Sequence, residues 1–176
     1  ALYGYGSREE LEQAGAAAIA EDPAALSRLL TGSLSPEKGL FITFEGSDGC
    51  GKSTQARLAA KWLEACGYEV VSTLEPGGCP ISERIRKIIL DVGSAGMTGE
   101  CEALLFAAAR AQHVAQVIEP AVNRGAMVLC DRFIDSSVAY QGAGRGLGAE
   151  LVARINEPAL RGRMPDLTLM YQLPPM

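Results

Sequence analysis

Paired cysteines are missing from this chain: its five cysteines, at positions 50, 66, 79, 101 and 130, are odd in number and include no C-x-x-C. That pattern fits neither a disulfide framework nor a zinc site, and a reducing cytoplasm is the expected compartment. Long apolar runs are missing too. The longest, Ala103 to Ala109, falls far short of the roughly 18 residues a bilayer span needs, and no basic stretch precedes an apolar one near the start. Membrane-spanning and secretory readings are therefore disfavoured. Positive charge is scarce, with 16 Lys and Arg against 21 Asp and Glu, a net charge of -5. A protein that grips nucleic acid through bulk basicity needs the opposite balance, so no nucleic-acid partner is expected. Any phosphate chemistry has to rest on a few placed cations.

What is present is material for a core: 176 residues, 48% of them hydrophobic and 21% charged, suit one globular domain. The charge is uneven, because residues 1 to 38 hold six acids and three bases while the remainder is close to neutral. Between these parts, Thr31-Gly-Ser-Leu-Ser-Pro36-Glu-Lys-Gly39 is rich in Gly, Ser and Pro and ends any helix before it. We place a boundary there, with residues 1–30 as one segment, 31–38 as a linker and 39–176 as the main domain. Within that domain, apolar runs at Leu40 to Phe44, Glu69 to Thr73, Ala126 to Cys130 and Leu167 to Tyr171 predict strands. Helical spacing covers Ser53 to Ala65, Ile81 to Leu90, Thr98 to Ile118 and Ala149 to Leu160. Strands separated by helices, without hairpin signals, predict an α/β fold with a parallel sheet flanked by helices on both faces.

Gly46-Ser47-Asp48-Gly49-Cys50-Gly51-Lys52-Ser53 satisfies G-x-x-x-x-G-K-[ST] directly after the first strand and opens a helix, with Thr54 following. Glycines let successive backbone N–H groups turn onto phosphate oxygens, and the helix N-terminus adds its dipole. Lys52 would reach the β- and γ-phosphates of ATP, and Ser53 would ligate Mg²⁺. Asp131 ends the run Ala126 to Cys130 as a Walker-B aspartate does, poised for the metal or its water shell; a helix-capping Asp is the plainer alternative. These features alone leave open a kinase, a GTPase switch and a motor ATPase. The absence of an Asn-Lys-x-Asp guanine-reading motif speaks against the switch.

Four segments narrow the class: Phe41-x-x-Phe-Glu-Gly-Ser-Asp-Gly-Cys-Gly-Lys-Ser-Thr54, Glu75-Pro-Gly-Gly78, Leu105-Phe-Ala-Ala-Ala-Arg110 and Asp131-Arg-Phe-Ile-Asp-Ser-Ser-Val-Ala-Tyr-Gln-Gly142. In order and spacing they resemble the signature blocks of bacterial thymidylate kinases, from about Gly39 to Pro174. The resemblance implies a P-loop nucleoside monophosphate kinase fold with a five-stranded parallel sheet, transfer of the γ-phosphoryl of ATP to dTMP, a Mg²⁺ cofactor and a homodimer. It implies that Arg86 and Arg132 hold the dTMP phosphate, Phe106 stacks on thymine and Arg110 bonds its O4. Ser137 and Gln141 would complete the base contacts, Tyr140 would pack under the deoxyribose, Asp48 would meet the 3′-hydroxyl, and Glu75 would line the pocket near phosphate and metal. Each has a plainer alternative: core packing for Phe106 and Tyr140, solvated helix arginines for Arg86 and Arg110, and an ordinary helix position for His113. Lys52, Asp131, Arg132 and Arg145 are the candidate catalytic residues. Arg145 sits in the glycine-studded stretch Tyr140 to Gly148, which resembles a mobile lid carrying an arginine finger, a solvated loop arginine being the alternative.

Two departures stand out. Leu74 occupies the place of the arginine in the family's Arg-Glu-Pro-Gly-Gly block. The family also continues past the strand ending at Tyr171 with elements that complete the adenine side, so that side is expected to be incomplete within these residues. Residues 1–30 resemble the end of a haloacid-dehalogenase-type phosphatase of the phosphoglycolate group, an acidic amphipathic extension being the alternative; with the start at Ala1, this suggests a piece of a fusion. Another deoxynucleoside monophosphate kinase and an inactive nucleotide-binding fragment remain the competing functional readings.

Overall fold

The computed structural model describes residues 39–172, so the segment 1–30, the linker 31–38 and the last four residues lie outside the described part. Four parallel strands form one sheet, β1 (Leu40–Gly46), β2 (Val70–Leu74), β3 (Met127–Asp131) and β4 (Leu167–Tyr171), in the order β2-β3-β1-β4. All four predicted strands are present within a residue or two of their expected bounds. The resemblance implied five strands; the described residues hold four.

Alternation along the two central strands divides the core into two faces, because successive side chains of a strand point to opposite sides. Ile42, Phe44, Met127 and Leu129 pack with Ala60 and Leu63 of helix α1 (Lys52–Ala65). Phe41, Val128 and Cys130 face the other way, into a cluster with Val114, Ile118, Val122 and Phe133. Glu45 has the parity of Phe41 and therefore lies on this second face, an acid within a strand whose neighbours are buried.

The remaining helices are α2 (Pro80–Leu90), α3 (Gly99–His113), α4 (Glu119–Asn123), α5 (Ile134–Ser137) and α6 (Ala149–Leu160); Val122 of α4, Ile134 of α5 and Leu160 of α6 reach this second cluster, while α2 packs on α3. Thr98 caps α3 by accepting from Cys101 N at 3.3 Å. The single helix expected over Thr98 to Ile118 is divided. After His113 the chain widens into a π-helical turn, Val114–Ile118, and resumes as α4 with Pro120 in its first turn. Proline lacks an N–H and its ring crowds the carbonyl four residues earlier, so a widened turn accommodates it where a regular helix would clash. A second difference lies at Val138–Gly144, which overlaps the glycine-studded stretch Tyr140 to Gly148 expected as a mobile loop. It is π-helical and runs on directly from α5.

Phe41, fully buried, meets the Phe133 ring edge-on, with centroids 4.9 Å apart and planes at 89°. This contact joins β1 to the segment that follows β3. Phe41→Ala is expected to destabilise the protein by about 3–5 kcal/mol, through lost burial and the cavity left behind, read as a lower denaturant midpoint at unchanged slope.

Candidate functional site

All four strands are parallel, so the ends of β1, β2 and β3 open on one edge of the sheet, where ligands bind in such folds. The loop between β1 and α1 begins at Gly46, whose φ is +144°. A Cβ there would stand 2.3 Å from the Tyr171 carbonyl oxygen, so only glycine fits where β1 turns away from β4. Gly51 closes the loop in the left-handed region and leads into Lys52, the first residue of α1. Lys52 is buried against its own loop and donates to the Ser47 carbonyl at 3.3 Å. Ser53 Oγ donates to Asp131 Oδ2 across the gap between α1 and β3, while Asp131 Oδ1 is buried with no partner.

A cleft of about 580 Å³ starts from this point and runs under α2 and α3. On its loop side are Asp48, Lys52, Ser53 and Asp131. Its far wall carries Arg86, Phe106, Arg110, Ser137, Tyr140 and Gln141, with Glu75 and Arg132 between the two sides. Thus the predicted acceptor residues from four distant blocks share one cavity with the phosphate loop. Of the residues expected around ATP, Gly46, Ser47, Gly49, Cys50, Gly51 and Thr54 belong to the loop or first turn and do not line this cleft.

Asp48, almost fully exposed, bridges two cations: 2.5 Å to Arg132 Nη2 and 3.5 Å to Lys52 Nζ. The hydrogen bond and positive charge of Arg132 hold its carboxyl below the ordinary carboxylate range. Arg132 itself has φ +71°, a conformation that costs a non-glycine residue about 1–3 kcal/mol. Glu45 supports this turn. Its carboxylate accepts from Phe133 N at 2.6 Å and from Ser136 Oγ at 2.6 Å, and Ser136 accepts in turn from Arg132 Nη1 at 3.0 Å. The Arg132 guanidinium also lies 5.3 Å from the Tyr140 ring centroid, so Tyr140 packs on the cation and is not a core tyrosine.

Arg110 is 1% exposed, which removes the solvated-arginine alternative. Its Nε donates to Glu75 Oε2 at 2.8 Å, Nη1 to Asn156 Oδ1, and Nη2 to Phe133 O at 3.0 Å and Ser137 Oγ at 3.2 Å. Arg86 donates to Pro76 O at 2.6 Å and is half-buried. Gln141 donates to Glu102 at 2.8 Å, while its amide oxygen is buried without a partner in the cleft. Phe106 is half-buried on the cleft wall.

Arg145 differs from expectation. It follows helical turns where a mobile loop was expected, it is absent from the cleft lining, and its guanidinium lies on Glu102 through Nε at 3.1 Å and Nη2 at 2.5 Å. Burial alone would raise the Glu102 carboxyl, but the bonds from Arg145 and Gln141 hold it below its ordinary value. The residues that sequence reasoning passed over are Glu45, Ser136, Glu102 and Asn156. Glu45 did carry a signal, as an acid inside a buried apolar strand; the others mark nothing in the chain until the helices bring them to the arginines.

The phosphate-type loop, the strand order and a cleft reaching from Lys52 to a second basic wall define a P-loop fold of the nucleoside monophosphate kinase type. A family model described as Thymidylate kinase matches residues 44–176. The chain belongs to the thymidylate kinase family. A thymidylate kinase of Geobacter sulfurreducens is 56% identical over 136 residues, which are 77% of this chain and 64% of the relative. One from Bacillus pumilus is 51% identical over 137 residues, 78% of this chain and 65% of the relative. The solved thymidylate kinase from Ehrlichia chaffeensis superposes with a TM-score of 0.72 at 38% identity, covering 77% of this chain and 75% of that one. The chain therefore spans about 64% of the length of such curated relatives.

Burial raises the Glu45 carboxyl above its ordinary value of 4.5, against the bonds from Ser136 and Phe133 that pull it down. A carboxyl raised on folding binds its proton more tightly in the folded state, so its favourable contribution is complete below pH 4.5 and is lost as pH rises through the raised value. As pH rises above 4.5 the wild type should lose stability relative to Glu45→Gln, measured as denaturant midpoints. Parallel profiles for the two proteins would show that Glu45 does not titrate as a buried group.

Proposed function

We propose that the full-length protein transfers the γ-phosphoryl group of ATP to dTMP, giving ADP and dTDP. One observation carries this reading: the cleft that begins at Lys52, Ser53 and Asp131 ends on a wall with Phe106 and Arg110, so donor and acceptor sides are continuous. On the acceptor side Phe106 offers a face for a planar base. Arg110, with four of its five N–H groups already engaged, has one left for a 4-keto oxygen. Arg86 and Arg132 would supply charge for the phosphate of dTMP, Asp48 would meet a sugar hydroxyl, Tyr140 would pack under the sugar, and Ser137 and Gln141 would complete the base pocket; all of them line the cleft.

The step moves one phosphoryl group. An oxygen of the dTMP phosphate forms a bond to Pγ while the bond from Pγ to the oxygen bridging Pβ breaks, and ADP leaves with that oxygen. Such transfers depend on positioning and charge neutralisation more than on a general base. Lys52 and Arg132, brought to one loop by their shared ion pairs with Asp48, supply the neutralising charge in this chain.

The unpartnered Oδ1 of Asp131 and the hydroxyl of Ser53 are hard oxygen donors suited to Mg²⁺, which is commonly held by one or two protein groups together with substrate phosphates. When bound, Mg²⁺ would neutralise the β- and γ-phosphates of ATP. Arg145, tied to the cleft-lining Glu102, would have to leave that carboxylate to reach the transferred group. No helix among the described residues is long and apolar enough to cross a membrane. We further read residues 39–176 as the kinase domain, with a homodimer and a cytoplasmic location in line with the family, and residues 1–30 as the tail of a phosphatase-type domain joined by the linker 31–38.

A coupled ADP-release assay with dTMP, dUMP, dCMP and dGMP tests this function. dTMP should be preferred over dCMP on the order of tenfold or more in kcat/KM, because an amino group at C4 leaves Arg110 unpaired at a cost of about 1–3 kcal/mol. Equal turnover of the two would refute the base assignment. Lys52→Ala should abolish turnover with circular dichroism unchanged, and near-normal activity in that variant would remove the phosphate-loop reading.

A further inference from the structure

We infer that His113 is a positioning residue of the acceptor pocket, which sets the Arg110 guanidinium through the carboxylate of Glu75; the inference rests on reading the cleft as the dTMP site. His113 is fully buried at the last position of α3, one turn beyond Arg110 and seven residues beyond Phe106, so the three share one helix face. Its Nδ1 lies 2.9 Å from Glu75 Oε1, and its Nε2 lies 2.6 Å from Thr73 Oγ1. The other Glu75 oxygen receives Arg110 Nε at 2.8 Å. Each oxygen of one carboxylate is therefore taken by a residue from consecutive turns of the same helix, while the carboxylate comes from the end of β2.

Two features show that the ring has a fixed place and is not simply filling space. The Thr73 hydroxyl on the far nitrogen means that a ring flip loses both contacts. Gly78, at φ +81°, leaves the room the ring occupies: a Cβ there would stand 2.5 Å from His113 Nε2 and 2.4 Å from Thr73 Oγ1. The last glycine of Glu75-Pro-Gly-Gly78 is thus demanded by the histidine, two segments away in sequence. Glu75 is the only charged partner of Arg110 among its bonds, and the neutral ones (Asn156, Phe133 and Ser137) come from other elements. Without His113 the buried Oε1 loses its partner and Glu75 gains freedom to turn, which loosens the one charged bond that orients Arg110.

The test uses steady-state kinetics on the full-length protein. His113→Leu keeps bulk and removes both ring nitrogens, whereas His113→Asn restores an N–H close to the Nδ1 position. His113→Leu should raise the KM for dTMP about tenfold, leave the KM for ATP within about twofold, and be largely rescued by His113→Asn. In an Arg110→Ala background the same substitution should add less than about twofold to the dTMP KM, since His113 acts through Arg110. Equal rises in both KM values, or an undiminished effect in the Arg110→Ala background, would overturn the inference and leave a purely structural histidine. Should His113→Leu not fold, Thr73→Val releases the far nitrogen with little change in shape. It should raise the dTMP KM alone, and an unchanged value in the folded variant would likewise overturn the proposal. Failure of the wild-type protein to bind dTMP by calorimetry would instead remove the acceptor reading beneath it.

Discussion

Burying one arginine organises this protein. A guanidinium taken out of water is costly unless nearly every N–H finds a partner, and the four engaged N–H groups of Arg110 draw on the end of β2, the turn after β3, α5 and α6. Those elements must meet around α3 for the charge to be tolerated. The cleft is the space left beside that meeting point. Its α3 wall is therefore held by the same bonds that join the sheet edge to the helical layer.

The phosphate side obeys a different logic. Its cations are half-buried or tucked against a loop, and Asp48, exposed to water, links Lys52 and Arg132. The strained backbone at Arg132 persists because Glu45 receives the next N–H from inside the core. One side of the cleft thus carries a buried arginine held by four bonds, and the other carries two cations linked through an exposed carboxylate. Glu45 belongs to the same buried face as Phe41, so one strand supplies both the packing that holds Phe133 and the acceptor that holds its N–H.

Much of this was legible in the chain. The four strands follow from apolar runs of the right length, and the phosphate loop from glycines whose positions are dictated by backbone approach, as at Gly46 beside the Tyr171 carbonyl. That Phe106 and Arg110 share one wall of the cleft was legible through their spacing on one helix and through a resemblance of ordered blocks. Where reading along the chain failed, local rules met a tertiary demand. Pro120 suggested an ending, yet the helix continues through a widened turn, and the glycines near 142 and 144 suggested a loop where helical turns form.

The sequence by itself determined the sheet, the phosphate loop and the identity of the charged groups, because strand periodicity, glycine conformation and side-chain chemistry are local properties. Only the tertiary structure decided how those charges are spent. It placed Arg145 on the cleft-lining Glu102, made Asn156 a partner of Arg110 and His113 a partner of Glu75, and set Glu45 against the turn at Arg132. The physical reason is that the cost of a buried charge depends on every element packed against it. That sum does not exist until the helices close over the sheet.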